Sequence, residues 1–198
     1  SKPTQKTQPD YWARRALHVL DSSRRRRADH GLFAFYLLNL VHLHPGEGSV
    51  QQAGVLHSYL EGQTIEVMTN SDNVIRAGLT AKHVDVEELL RVVRFTDEAT
   101  DILRPIVTET SSDYSIAEVG VRLTRSNLSA GASLARAGTR GPEMLISLRG
   151  EGLRIVAAQR ELIIPRGRGA LIPAHQPYHL VSADLSEVLI LSVDSADA

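Results

Sequence analysis

From Leu37 onward a turn signal interrupts this chain every few residues, and that spacing constrains the fold more than any other feature. Leu37–Leu43, Ser49–Ala53, Leu56–Leu60 and Thr64–Thr69 are short β-prone runs parted by Pro45-Gly46, Gly54 and Gly62. The texture returns from about Ile102, with Tyr114–Val121, Glu143–Leu148, Leu153–Ala157, Glu161–Ile164, Ala170–Pro173, Tyr178–Val181 and Val188–Val193. Many short strands at close spacing predict a mainly β protein built as a sandwich or small barrel. Ser126–Gly141 is small, polar and rich in glycine, and it reads as a loop.

Two segments break the β pattern. Tyr11–Asp21 places Trp12, Ala16, Val19 and Leu20 in a rough apolar stripe, as a helix would. Asp85–Phe95 is the clearer helix. Asp85 can accept a backbone N–H as N-cap, Glu88 follows three residues on, and Val86, Leu89, Leu90 and Val93 share a face.

The 198 residues are enough for one or two cored domains. There is no cysteine, so a disulfide framework and a thiolate metal site are both excluded. Any metal must be held by imidazole, carboxylate or amide groups, and a cytoplasmic location is expected. A formal net charge of −1 argues against bulk attraction to nucleic acid or membrane, so neither is an expected partner. The basic run Arg24–Arg27 reads as a solvated loop. The longest uncharged apolar stretch, Leu32–Leu43, is too short to span a bilayer.

The chemistry-bearing side chains concentrate between Leu56 and Lys82. His57, Tyr59, Glu61, Asp72, Arg76 and Lys82 place an imidazole, a phenol, two carboxylates, a guanidinium and an ammonium in one short stretch. Such a set can hold a metal and an anionic small molecule together. His42 and His44 would also share one strand face, though strand-end histidines are common as ordinary structure. Arg166 and Arg168 sit beside glycines and read as solvated turn residues.

A weak internal repeat links the two β-rich stretches. Gly46-Glu47-Gly48-Ser49-Val50 can be laid over Gly167-Arg168-Gly169-Ala170-Leu171, and His57 then falls on Tyr178. A strand–turn–strand unit used twice suggests a double β-barrel of the cupin type. In the second unit His179 is one place out of register, which would turn its side chain to the opposite face.

The stretch from about Gly31 to Phe95 resembles the type I phosphomannose isomerases, which are zinc-dependent cupin enzymes. The residues that carry the resemblance are Pro45-Gly46-Glu47, Ala53 to Leu60, Ile65-Glu66-Val67-Met68, Asn70 to Thr80 and Lys82 to Val86. They cover about a third of the chain. The resemblance implies a mainly β, cupin-type double barrel with short helices, the first barrel incomplete in this chain. It implies three regions: 1–31 as the end of a helical insertion and linker, 32–95 as later strands of the catalytic barrel with a helix, and 96–198 as a second, metal-free barrel.

The implied activity is interconversion of mannose 6-phosphate and fructose 6-phosphate by zinc-assisted proton transfer through an enediol. Under it, His57 is a zinc ligand, Arg76 is catalytic, and Lys82, Asp72 and Tyr59 bind the sugar phosphate. A permanently charged guanidinium can stabilise an oxyanion without titrating. The family draws its other zinc ligands, a Gln-x-His pair and a glutamate, from an N-terminal half that has no match here. Because zinc needs about four donors, the chain alone is expected to be inactive. The N-terminal half is expected in the same gene product or complex. The alternative is a non-catalytic cupin module that binds a phosphosugar or a partner chain. A different metal cupin enzyme would need a second ligand beside His57.

Overall fold

The computed structural model describes residues 5–22, 29–71, 73–96, 99–116 and 120–193. Contacts divide the chain into two compact units. One comprises Ser1–Leu43 with Ser49–Asp101, and the other His44–Gly48 with Ile102–Ala198.

In the first unit the helices form where the sequence predicts them. Helix α1 spans Pro9–Ser22. Trp12 and Ala13 are its buried apolar residues, and the Trp12 indole donates to Lys6 O at 2.7 Å. A 3-10 turn, η1 (His30–Phe33), runs into the single-turn helix α2 (Ala34–Leu37). Helix α3 (Val86–Val92) opens as expected, with the Asp85 carboxylate accepting from Glu88 N at 3.0 Å. It stops at Val93, whose backbone is extended.

The predicted strands of this unit do not form. Among the described residues from 34 to 101 the only strand is β1 (Gly48–Ser49), two residues long. Leu37–Leu43, Leu56–Leu60 and Thr64–Thr69 run without ladder partners, and Leu40, Val41, Tyr59, Ile65, Val67 and Met68 are exposed. A strand is completed only by the hydrogen bonds of a neighbour, and β-propensity is mostly a measure of fit to a half-buried pleat.

The second unit builds complete sheets. Its strands are β2 (Ile102–Leu103), β3 (Ile106–Val107), β4 (Ser111–Ile116), β5 (Val121–Leu128), β6 (Ser133–Arg136), β7 (Glu143–Arg149), β8 (Leu153–Ala157), β9 (Arg160–Ile164), β10 (Gly169–Ile172), β11 (Tyr178–Ser182) and β12 (Ser186–Val193). A six-stranded sheet has the order β10-β7-β12-β5-β4-β3 and a four-stranded sheet the order β6-β11-β8-β9. Their pairings are antiparallel. Alternation sets the inner faces: Leu145 on β7 and Val188 and Ile190 on β12 meet Leu153, Ile155, Tyr178 and Leu180 from the other sheet. Each such aliphatic side chain contributes about 1.5–3 kcal/mol by leaving water.

One predicted loop is in fact strand. Ser126–Gly141 contains the end of β5 and all of β6. Thr124, Ser126 and Leu128 alternate inward along β5, with Arg125 and Asn127 between them. Small hydroxyl residues occupy positions where aliphatic ones would have announced a strand.

The internal repeat is visible in the backbone. Glu47 N donates to His44 O at 2.9 Å and Arg168 N to Pro165 O at 3.0 Å. Gly46 and Gly167 take the third place of these turns with φ of 89° and 75°, where a side chain would be strained. Each turn leads into a strand, β1 and β10. In β11 Tyr178 is buried and His179 exposed, as the register argument requires.

Candidate functional site

His57 and Tyr59 lie on an exposed extended segment of the first unit. Its entry is fixed by Gly54, at φ 79°, whose carbonyl accepts from Arg94 N at 2.8 Å. A Cβ at Gly54 would stand 2.7 Å from Val92 O, so only glycine allows this close approach to the end of α3. The His57 Nδ1 sits 3.1 Å from Val55 O, to which it donates, and this tautomer leaves a lone pair on Nε2. Metal-binding histidines use this arrangement to set ring orientation. The Tyr59 ring lies edge-on to His57, with centroids 6.1 Å apart. Its hydroxyl donates to Glu66 at 3.2 Å, and partial desolvation together with the Glu66 charge raises the phenol above its ordinary pKa.

The arginine–lysine loop is held differently. Asp29 spreads its carboxylate across two backbone amides, accepting from Gly31 N at 2.8 Å and Leu79 N at 2.9 Å. Gly78, at φ 154°, packs so near Gly31 that a Cβ there would lie 3.0 Å from the Gly31 Cα. The loop is therefore pinned two residues after Arg76 and three before Lys82. Lys82 N donates to Thr80 Oγ1 at 3.1 Å. Both the Arg76 and Lys82 side chains are exposed. Asp72 lies outside the described residues. Asp29 was missed in the sequence, although an aspartate directly before His30-Gly31-Leu32 carries the mark of a helix start.

These residues do not by themselves make a zinc site. No group of three or more His, Asp or Glu side chains that could hold a metal occurs among the described residues. His57 offers one well-oriented donor, whereas zinc takes about four, or three with water.

In the second unit Tyr178, the repeat partner of His57, lies beside a buried polar cluster, its hydroxyl without a hydrogen-bond partner among the described residues. Arg136 on β6 donates to Glu143 on β7 and to Ser192 on β12, the latter at 3.3 Å, and Ser192 donates to Glu143 at 2.7 Å. Burial pushes the Glu143 carboxyl up, but the hydrogen bonds from Arg136 and Ser192 outweigh it and hold the group below its usual value. Burial, then the neighbouring carboxylate, raises the Tyr178 phenol. Glu143 and Tyr178 are each 1% exposed, which suits a structural ion pair between sheets better than a reactive centre.

The antiparallel sheets and the twice-used turn define a mainly β, cupin-type fold. The chain is homologous to a portion of the mannose-6-phosphate isomerases, and its structural neighbours include phosphomannose isomerases. It is 33% identical to mannose-6-phosphate isomerase 1 of Arabidopsis thaliana over 170 residues, 83% of this chain and 38% of that protein. Over 67 residues, 34% of the chain, it is 54% identical to mannose-6-phosphate isomerase of Escherichia coli, covering 17% of that protein. A phosphomannose isomerase variant from Salmonella typhimurium superposes with a TM-score of 0.72 at 26% identity, covering 91% of this chain and 46% of that one. A structure of the Salmonella enzyme bound to substrate (f6p) and zinc gives a TM-score of 0.68 at 25% identity, with 92% and 49% covered. No family model matches the chain. The chain thus spans less than two fifths of the length of these curated relatives.

Proposed function

We propose that this chain supplies one wall of an aldose–ketose isomerase site that interconverts mannose 6-phosphate and fructose 6-phosphate. The observation that carries the reading is the 33% identity to a mannose-6-phosphate isomerase across 83% of the chain. The pinned Arg76–Lys82 loop and the oriented His57 support it. Residues 32–95 form that wall, and 96–198 form a second barrel without a metal.

Moving a proton between C1 and C2 of the sugar builds negative charge on an enediolate oxygen. Arg76 stays charged at every relevant pH and can lie against that oxygen without giving up a proton. Lys82, six residues on and beyond the Asp29 anchor, offers a compact cation to the phosphate. Asp72 and Tyr59 bind sugar hydroxyls. His57 is one zinc donor, and the remaining donors come from residues outside these 198.

The test is made in a protein that carries these residues together with the remaining donors. Arg76→Ala is expected to lower kcat about 10²–10³-fold with zinc still bound, and near-normal turnover would remove the catalytic assignment. His57→Ala is expected to lower zinc content, and unchanged stoichiometry would refute the ligand role. The 198-residue chain with added zinc is expected to show no isomerisation in a coupled assay. The second reading is a non-catalytic phosphosugar-binding module. Binding of the sugar phosphate without turnover, once the outside donors are present, would select it.

A further inference from the structure

The second unit holds a polar cleft that the isomerase reading does not use. It has a volume of about 150 Å³ and lies over β4 and β5, bounded by Leu134 and Arg136 of β6. That is smaller than the 300–1,000 Å³ usual for drug-sized ligands, so its occupant is no larger than a single small ring or a short open chain.

The walls show what chemistry it would take. Asp113 accepts from Thr124 Oγ1 at 2.6 Å through one carboxylate oxygen and from Ser111 Oγ at 3.1 Å through the other. A carboxylate has about four acceptor positions, so each Asp113 oxygen keeps one for a donor in the cleft. Ser126 is only 3% exposed, lines the same space, and its hydroxyl has no hydrogen-bond partner among the described residues. That hydroxyl opens to the cleft, where water pairs with it and a ligand hydroxyl would take the water's place. Leu128 and Leu134 give the cleft an apolar side.

Charge separates neutral from anionic ligands. Arg136 reaches the cleft, but its charge is compensated by the buried Glu143 carboxylate. The charge left over is that of Asp113, which disfavours a phosphate or carboxylate and favours hydroxyl donors. We propose that this cleft is a binding site for a neutral polyhydroxylated small molecule, with Asp113 bridging neighbouring hydroxyls and Ser126 pairing with a third. The proposal concerns residues of the second unit alone and does not depend on the isomerase reading.

The test is a titration of the full 198-residue chain with D-mannitol, read by calorimetry and saturation-transfer NMR. Saturable binding is expected with a Kd of about 1 mM, weakened about tenfold in Asp113→Asn and a few-fold in Ser126→Ala, with inorganic phosphate failing to compete. Ser126 has no partner to lose, so Ser126→Ala remains decisive if Asp113→Asn fails to fold. Absence of saturable binding, affinity unchanged in the variants, or displacement of mannitol by phosphate would each overturn the proposal.

Discussion

Two stretches of this chain carry the same kind of sequence and reach different ends. Residues 102–193 place ten buried side chains in one core between two antiparallel sheets. Among the described residues from 29 to 96 not one is buried, although Ile65, Val67, Met68 and Val74 are as β-prone as anything in the second stretch. The difference teaches that alternation and turn chemistry prepare a strand, while a neighbouring ladder completes it.

The comparison breaks most readily in the core. Ile190→Ala, at a fully buried position of β12, is expected to cost about 2–5 kcal/mol in urea unfolding followed by far-ultraviolet circular dichroism. Leu90→Ala, on an exposed face of α3, is expected to stay within about 0.5 kcal/mol by the same measurement. Equal costs would mean that Leu90 is packed and the first unit has a core of its own.

A smaller effect separates two glycines. Gly54→Ala is expected to destabilise by more than about 1 kcal/mol, because it combines φ 79° with a clash against Val92 O. Gly62→Ala at φ 122° meets no atom within 4 Å and is strained by conformation alone. A milder effect at Gly54 than at Gly62 in thermal melts would show that the segment entering His57 is not held against α3.

The smallest expected effect is acid sensitivity. Glu143 is held below the ordinary carboxylate range, so it binds a proton more readily in the unfolded chain than in the folded one. Its contribution is complete above about pH 4.3, the unfolded value, and fades as the pH falls through the lower folded value. Melting temperature should therefore decline below that point, and the decline should flatten in Glu143→Gln. An unchanged acid limb in that variant would assign the sensitivity to another carboxylate.

What could be read from the residues follows the same division. The capping aspartate of α3, the strands from Glu143 onward and the Gly46 and Gly167 turns were legible because each rests on local chemistry: a cap, an alternation, a left-handed residue. β6 was hidden because its serine and alanine look like loop residues; in the strand they take the exposed places, with Leu134 and Arg136 half-buried between them. The strands expected at 37–69 were misread for the opposite reason, since their residue types suit a sheet but, among the described residues, no partner strand lies beside them. At the candidate site, His57, Arg76 and Lys82 are proposed from the motif. Asp29 is not, since it acts on a backbone amide 50 residues away, a distance that no periodicity reports.

That aspartate has a consequence for motion. One carboxylate holds the amides of Gly31 and Leu79 through its two oxygens, so a rotation of the Asp29 side chain frees both at once. The start of the 3-10 turn and the arginine loop should breathe as a single event, with their two amide protons exchanging at a common rate. A group that pins Leu79 through a shared latch also sets how often the loop between Arg76 and Lys82 is released.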